Sequence, residues 1–221
     1  MGAGAAVLIV AVVALAGCET REIGEPESAK QPSQEGKLVF SDDFQRQELG
    51  SDWKRGKGEE GAGEWKIEEG WVTGSNIKND PLWLDQPLPK QVRVEFDARA
   101  ESNEGDLKAE IFGDGTHHAT GYILIFGGWD NKLDVIARLD EHGEDRRQQP
   151  SQSVEKGRTY HWTIERTEGT LRWYIDGKRF MTYDDSKPLT GKGHRHFAFN
   201  DWTAPVRFDN VEVYDLSGGA E

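Results

Sequence analysis

The 221-residue sequence contains a single cysteine, Cys18, so no disulfide can form within the chain. Its apolar run at residues 7–16 is shorter than the ~20 residues that a membrane-spanning helix needs. Basic residues are also scarce, with 27 Lys and Arg against 40 Asp and Glu and a net charge of −13. Because such a surface repels phosphate, these counts argue against nucleic-acid binding.

The apolar run at 7–16 is typical of a signal-peptide core, so we assign residues 1–17 to a signal peptide. It ends in Leu-Ala-Gly-Cys at 15–18, which resembles the lipobox of bacterial lipoproteins. That resemblance implies cleavage before Cys18, lipidation of its thiol and a membrane anchor in the bacterial cell envelope. Glu19 in the next position implies the outer membrane rather than the inner. The alternative is an ordinary signal peptide that contains a cysteine by chance.

Residues 18–36 follow with no aromatic residue and with many Glu, Ser, Pro and Gln residues. Such a segment cannot bury enough apolar surface to offset its chain entropy, so it predicts a flexible acidic tether after the lipidated Cys18. Residues 37–217 have the length of one domain, and residues 218–221 are predicted to be a disordered tail.

Helical periodicity is missing from residues 37–217, and alternation takes its place. Val92, Val94, Phe96 and Ala98 alternate with polar residues, and the same period recurs near 106–112, 133–140, 159–165 and 206–214. Clean alternation is typical of antiparallel sheets with one wet face. We therefore predict an all-β fold of two antiparallel sheets packed as a β-sandwich, with the eight tryptophans filling much of the core.

Two short motifs predict details of that sandwich. Asp176-Gly177 lies between alternating runs and favours the positive φ angles of a tight hairpin. At Asp209-Asn210 the alternation of apolar residues shifts by one position, which predicts a β-bulge in the last strand.

The order of residues 160–185 and 208–216 resembles the closing half of concanavalin A-like lectin/glucanase jelly rolls, and 38–44 resembles their first strand. The resemblance implies a jelly roll in which the open face of one concave sheet holds saccharide. This superfamily includes laminarinase-like family 16 glycoside hydrolases, lyases, lectins and sugar-binding modules. A fold-level resemblance therefore leaves the activity open.

The segment GDLKAEIFGDG (105–115) places Asp106, Lys108 and Glu110 on one side of a predicted strand. Its spacing is similar to the Glu-x-Asp-x-Glu row of family 16 glycoside hydrolases, which implies a catalytic pair of Asp106 and Glu110. Lys108 departs from that row, because a cation there lowers neighbouring carboxyl pKa values whereas a general acid needs a raised one. Three interpretations stay open: a hydrolase pair, a saccharide-binding surface that includes Lys108, or the solvated side of a strand.

The segment GHRHFAFNDW (193–202) has Phe197 and Phe199 pointing inward, so His194, His196 and Asn200 share the outer side and Trp202 follows. We expect His196 to act as a catalytic base and His194, Asn200 and Trp202 to bind substrate.

Trp129 follows two glycines in a loop where its indole can either stack against a sugar ring or fold back into the core. Tyr122 and Arg138 are further substrate-binding candidates, since lyases of this superfamily use such residues around a uronate carboxylate.

Asp43 and Asp209, near the two ends of the domain, resemble the places where many members of the superfamily hold a structural calcium ion. Their carboxylates suit that hard cation, so a calcium site is a further prediction.

Together these patterns predict an envelope-anchored domain that recognises a polysaccharide or oligosaccharide. Two alternatives remain. One is an enzyme, a glycoside hydrolase or polysaccharide lyase that uses Glu110 with Asp106 or a histidine. The other is a structural envelope lipoprotein that binds no sugar.

Overall fold

A computed structural model describes residues 1–2, 32 and 36–218. Within them lie fifteen β-strands and one short helical turn. In chain order these are β1 (Lys37–Asp42), β2 (Trp53–Arg55), β3 (Lys66–Glu68), β4 (Trp71–Gly74), β5 (Leu82–Leu84), β6 (Val92–Ala100), β7 (Leu107–Gly113), β8 (Tyr122–Gly127), α1 (Gly128–Asn131), β9 (Leu133–Arg138), β10 (Arg147–Pro150), β11 (Thr159–Thr167), β12 (Thr170–Ile175), β13 (Lys178–Asp184), β14 (His196–Asn200) and β15 (Val206–Asp215).

The strands form two antiparallel sheets. The eight-stranded sheet has the order β13-β12-β11-β6-β15-β4-β3, with β1 also paired to β15. The seven-stranded sheet has the order β10-β9-β8-β7-β14-β5-β2. The all-β, two-sheet fold predicted from the alternating pattern is therefore confirmed.

The core lies between the two sheets, where aromatic rings from both inner faces meet. Phe96 of β6 packs against Phe197 and Phe199 of β14, with ring centroids 5.6 and 5.2 Å apart. Phe199 also stacks on Phe208 of β15 at 4.1 Å. All four rings are fully buried, so the inward phase predicted for β6 and β14 is confirmed.

Both predicted turn details are present. Asp176 and Gly177 have φ angles of 51° and 72°, as a tight hairpin between right-twisted strands requires. Asn210 has a φ of 52°, and the pairing of β15 with β6 shifts register between Asp209 and Glu212, which is the predicted bulge.

Residues 3–17 of the predicted signal peptide, the lipidated Cys18, nearly all of the tether and residues 219–221 lie outside the described residues. Within the described part of the chain, no helix has both the length and the apolar character that crossing a membrane requires.

Candidate functional site

The polar row of β7 lies on the outer face of the seven-stranded sheet. Leu107, Ala109 and Ile111 point into the core, so Lys108 and Glu110 point away from it, as the alternation predicts. Yet Lys108 is only 2% exposed and Glu110 is 0% exposed. This corrects the interpretation of the row as the solvated side of a strand, because loops after β4, β7 and β9 fold over that face.

Glu110 is bound by three groups beneath these loops. Its Oε1 accepts hydrogen bonds from Asn200 Nδ2 at 2.6 Å and from His118 Nδ1 at 2.7 Å. Its Oε2 accepts one from the backbone N–H of Ala119 at 3.0 Å. The carboxylate predicted to be catalytic is thus sealed among protein groups, and Asn200, predicted to bind substrate, is one of them.

Lys108 lies beside this carboxylate and is held in the same way. Its Nζ donates to Asn79 Oδ1 at 2.9 Å and to Glu141 Oε2 at 3.1 Å. Burial alone would lower the pKa of Lys108, but the carboxylates of Asp106 and Glu141 outweigh burial and raise that pKa above its usual value. Lys108 is therefore a charged, fully engaged ammonium.

Contacts among six side chains close into a ring that we call the sealed network: Asn79, Lys108, Glu110, His118, Glu141 and Asn200. His118 joins its two halves, since its Nδ1 meets Glu110 and its Nε2 lies 3.8 Å from Glu141 Oε2. Burial would raise the pKa of Glu141, but Lys108 and His118 keep it below its usual value. The network fixes the loops that carry Asn79, His118 and Glu141 onto the sheet.

An open cavity of about 390 Å³ lies next to the sealed network on the same face. We call it the tryptophan cavity, because Trp129 and Trp202 line it from two separate loops. Its other lining residues are Glu59, Asn79, Glu104, Asp106, Lys108, Ile125, Asp130, Glu141, His142, Thr203 and Ala204. Four predicted site residues, Asp106, Lys108, Trp129 and Trp202, thus meet in one cavity.

Trp129 is presented by a left-handed turn. Trp129 and Asp130 have φ angles of 53° and 58°, a conformation that costs a non-glycine residue about 1 kcal/mol or more. Asn131 anchors the turn, since its side chain donates to the carbonyl of Val154 and accepts from the backbone N–H of the same residue, both at 2.8 Å. The indole packs against an apolar cluster on the outer face of β8 and β9 that includes Ile125.

Trp202 is held by its backbone while its side chain stays 41% exposed. Its N–H donates to Asp106 Oδ2 at 2.9 Å, and its carbonyl accepts from the N–H of Lys78 at 2.7 Å. Asp106 therefore does two things: it lines the cavity and fixes the position of one of its tryptophans.

Asp201 lies behind the cavity floor and was not predicted from the sequence. Its side chain is fully buried, and neither carboxylate oxygen has a hydrogen-bond partner among the described residues. Burial, and next the adjacent carboxylate of Asp106, raise the pKa of Asp201 far above its usual value. The neutral, protonated form of Asp201 is therefore favoured beside the carboxylate of Asp106.

Four predicted residues lie away from this cavity. Tyr122 is buried in the core with its hydroxyl on Asp185 Oδ2 at 2.8 Å, and burial raises its pKa to about 12. Arg138 Nε donates to the same oxygen at 2.9 Å. Since Tyr122 and Arg138 pair across β8 and β9 on the inner side, the lyase-like grouping with the histidines is not formed.

The two predicted histidines contact backbone carbonyls instead of Glu110. His194 Nδ1 lies 2.8 Å from the oxygen of Thr120, and His196 Nδ1 lies 3.1 Å from that of Leu84. His196 starts β14, four residues from Asn200, so it lies at the other end of the strand from the tryptophan cavity. The predicted catalytic trio of Asp106, Glu110 and His196 is thus not assembled.

The predicted calcium ligands belong to the other sheet. Burial, then Asp97 and Asp43, raise the pKa of Asp209 to about 6. Asp43 Oδ1 accepts from the backbone N–H of Gln45 at 3.1 Å. In the described part of the chain no three His, Cys, Asp or Glu side chains are placed to hold a metal ion. Calcium binding by Asp43 and Asp209 therefore stays a prediction.

The sealed network also contains residues that the strand pattern could not indicate. His118 and Asn79 come from irregular loops, and only their contacts with Glu110 and Lys108 reveal their place. The single sequence signal near them is the mixed-charge segment 138–147, which supplies Glu141 to the network and His142 to the cavity.

No protein-family model matches the chain, and no curated protein is similar to it in sequence. Solved structures match it in fold. Carbohydrate-binding module CBM66 from Bacillus subtilis has a TM-score of 0.60 at 14% identity, over 76% of this chain and 98% of that one. A Bacillus licheniformis beta-glucanase has a TM-score of 0.57 at 14% identity, over 82% and 99%.

A sialidase also matches, with a TM-score of 0.56 and 17% identity over 75% of this chain, which spans only 17% of the sialidase. At such low identities these likenesses show the fold and no more. The chain therefore has the concanavalin A-like jelly-roll fold that its sequence resembles.

Proposed function

We propose that this protein is a carbohydrate-binding β-sandwich domain whose ligand occupies the tryptophan cavity. The observation that carries the proposal is the presence of Trp129 and Trp202, from separate loops, around one open cavity with polar groups at its floor. Solved structures of the same fold whose names state carbohydrate binding or glycan hydrolysis support it.

The physical chemistry of the cavity suits a sugar ring. Indole faces bind the apolar C–H faces of pyranoses, and carboxylates and amides accept hydrogen bonds from their hydroxyls. A volume of about 390 Å³ is near the lower end of small-molecule sites, which is room for roughly one or two sugar rings. The strained turn beneath Trp129 supports a role in binding, since such strain tends to occur at functional sites.

Binding is favoured over hydrolysis by Glu110 because that carboxylate does not line the cavity. It is fully buried, and all its near neighbours are protein donors. A structural role without any ligand would leave unexplained why Trp129 and Trp202, from separate loops, meet at one open cavity.

A glycan array probed with the full-length protein tests the proposal. We expect retention on a defined set of glycans, and a loss of about tenfold or more in affinity for Trp202→Ala and for Trp129→Ala, since stacked aromatics dominate such sites. Trp71→Ala is the matched control, because Trp71 is half-buried on the eight-stranded sheet and stacks with Arg99. Equal retention by all three variants, or a blank array, would contradict the proposal.

We also propose that Cys18 anchors the domain in the cell envelope through lipid. The lipobox-like sequence before it supports this. In a bacterial host, labelled palmitate should be incorporated into the wild type and not into Cys18→Ala. Labelling that persists in the variant would refute the anchor.

A further inference from the structure

We propose that the tryptophan cavity selects saccharides that carry a free amino group, with the sugar's ammonium placed against Asp106. This inference rests on the proposed function and names the class of ligand. Its basis is the balance of charge around the two tryptophans and the availability of Asp106, Glu59 and Glu104 on the cavity wall.

Carboxylates outnumber cations strongly on the cavity wall. Five acidic side chains line it, against the single ammonium of Lys108: Glu59, Glu104, Asp106, Asp130 and Glu141. Like charges repel, so a uronate or sulfated sugar would meet a wall of its own sign. This differs from the uronate ligand that the sequence suggests for Tyr122 and Arg138, because Arg138 is bound to Asp185 away from the cavity.

Lys108 is not available to bind the carboxylate or sulfate of an anionic sugar. The Lys108 side chain is 2% exposed, and its Nζ already donates to Asn79 and Glu141. Turning it toward a ligand carboxylate would weaken its pairing with the mostly buried carboxylate of Glu141, which is costly. The neighbouring Arg146 is engaged too, since it stacks on Trp129 at 5.2 Å and donates to the carbonyl of Glu141 at 2.8 Å.

Several of the carboxylates, in contrast, are available. Those of Glu59 and Glu104 are exposed and have no side-chain partner among the described residues. Asp106 keeps one oxygen beyond the bond to the N–H of Trp202. Behind it lies the fully buried carboxyl group of Asp201, whose raised pKa favours the neutral form. Asp106 is therefore the member of this pair that a ligand cation would meet from the cavity.

The tryptophans favour the same class of ligand. Indole faces attract ammonium groups through their electron-rich π-systems, and they bind the C–H face of a sugar at the same time. An amino sugar offers both features within one ring. The free amine matters, because N-acetylation removes the charge while it keeps the ring.

Four tetrasaccharides test the inference, made of glucosamine, N-acetylglucosamine, glucose and galacturonate. Titrated into the full-length protein at about pH 7, glucosamine should bind about tenfold tighter than its N-acetylated form, as expected for a charge-assisted hydrogen bond. Galacturonate should bind weakest. Raising the salt from about 0.05 to about 0.5 M should weaken glucosamine binding far more than binding of the neutral sugars.

Asp106→Asn is the decisive variant, because it keeps the oxygen that accepts from Trp202 and removes the charge. We expect it to lose the roughly tenfold preference for glucosamine over N-acetylglucosamine. The double variant Glu59→Gln/Glu104→Gln, at exposed positions with no structural partner, should lose part of the preference. Glu48→Gln, outside the cavity, is the matched control.

A wild type that binds the N-acetylated, neutral or uronate sugars as tightly as glucosamine would overturn the inference, as would a preference that survives Asp106→Asn. If neutral sugars still bind and Trp202→Ala weakens them, only this inference falls and the proposed function stands. If none of the four binds, the inference falls and the glycan array decides the proposed function.

Discussion

β6 and β7 are consecutive strands in opposite sheets, and their sequences have the same pattern of apolar residues alternating with charged ones. On the outer face of β6, the side chains of Glu95 and Asp97 remain 20% and 22% exposed. On the outer face of β7, Lys108 and Glu110 are 2% and 0% exposed. The charged row of β6 is therefore exposed to solvent, whereas that of β7 forms the base of a covered site. The difference lies in the loops that cross above β7.

Glu110→Ala should have the largest effect on the free energy of unfolding, and it most clearly distinguishes the covered row of β7 from the exposed row of β6. It leaves Asn200, His118 and the N–H of Ala119 unpaired in a buried place, so we expect a loss of about 3–5 kcal/mol in the free energy of unfolding. Glu95→Ala, on the wet row, should cost about 1 kcal/mol or less. Urea denaturation of both variants measures this. Equal losses would mean that the two rows do not differ as described.

Asp201→Asn should stabilise the protein by about 1–3 kcal/mol near neutral pH, because the amide cannot ionise, whereas the buried carboxyl group must be kept protonated above its unfolded-state pKa. The folded-state pKa of Asp201 is raised above the unfolded value of about 4, so wild-type stability should fall as the pH rises above about 4. The variant's advantage should therefore grow with pH. Unfolding measured from about pH 4 to 8 tests this, and an advantage that shrinks with pH would contradict it.

His161→Gln probes the solvent-exposed row of β6, with a smaller expected effect on stability and with a loss, not a gain, at low pH. Hydrogen bonds to Asp97, then to Glu95, raise the pKa of His161 to about 10. Its stabilisation is thus complete below about pH 6.5 and disappears as the pH approaches about 10. Because His161 is half-exposed and screened by solvent, we expect a loss of at most about 1 kcal/mol below pH 6.5. A deficit that persists at about pH 10 would show that His161 acts through packing instead.

The fold could be predicted because its signals are local. The alternation of apolar and polar residues indicates which side chains of each strand face the core. Asp176-Gly177 indicates a hairpin and the shift at Asp209-Asn210 indicates a bulge, and both are present. The same alternation also explains why Tyr122 does not reach the cavity. Its side chain points into the core together with those of Leu124 and Phe126.

The site could be predicted only in part, because its contacts join distant residues. Asp106, Lys108, Trp129 and Trp202 do meet in one cavity, since β7 and the loops after β8 and β14 are neighbours in the sheet. Asn79 reaches Lys108 across 29 positions, and Asn200 reaches Glu110 across 90. Alternation within a strand carries no information about which loop covers it.

Hydrogen–deuterium exchange of the full-length protein, with and without the glycan that the array identifies, tests the central claim most directly. Ligand bound in the tryptophan cavity should slow amide exchange in residues 127–131 and 201–204, and should leave amide exchange in β6 and β11 unchanged. Slowed exchange confined to β6 and β11, with none near Trp129 and Trp202, would contradict the assignment of the site to the covered face.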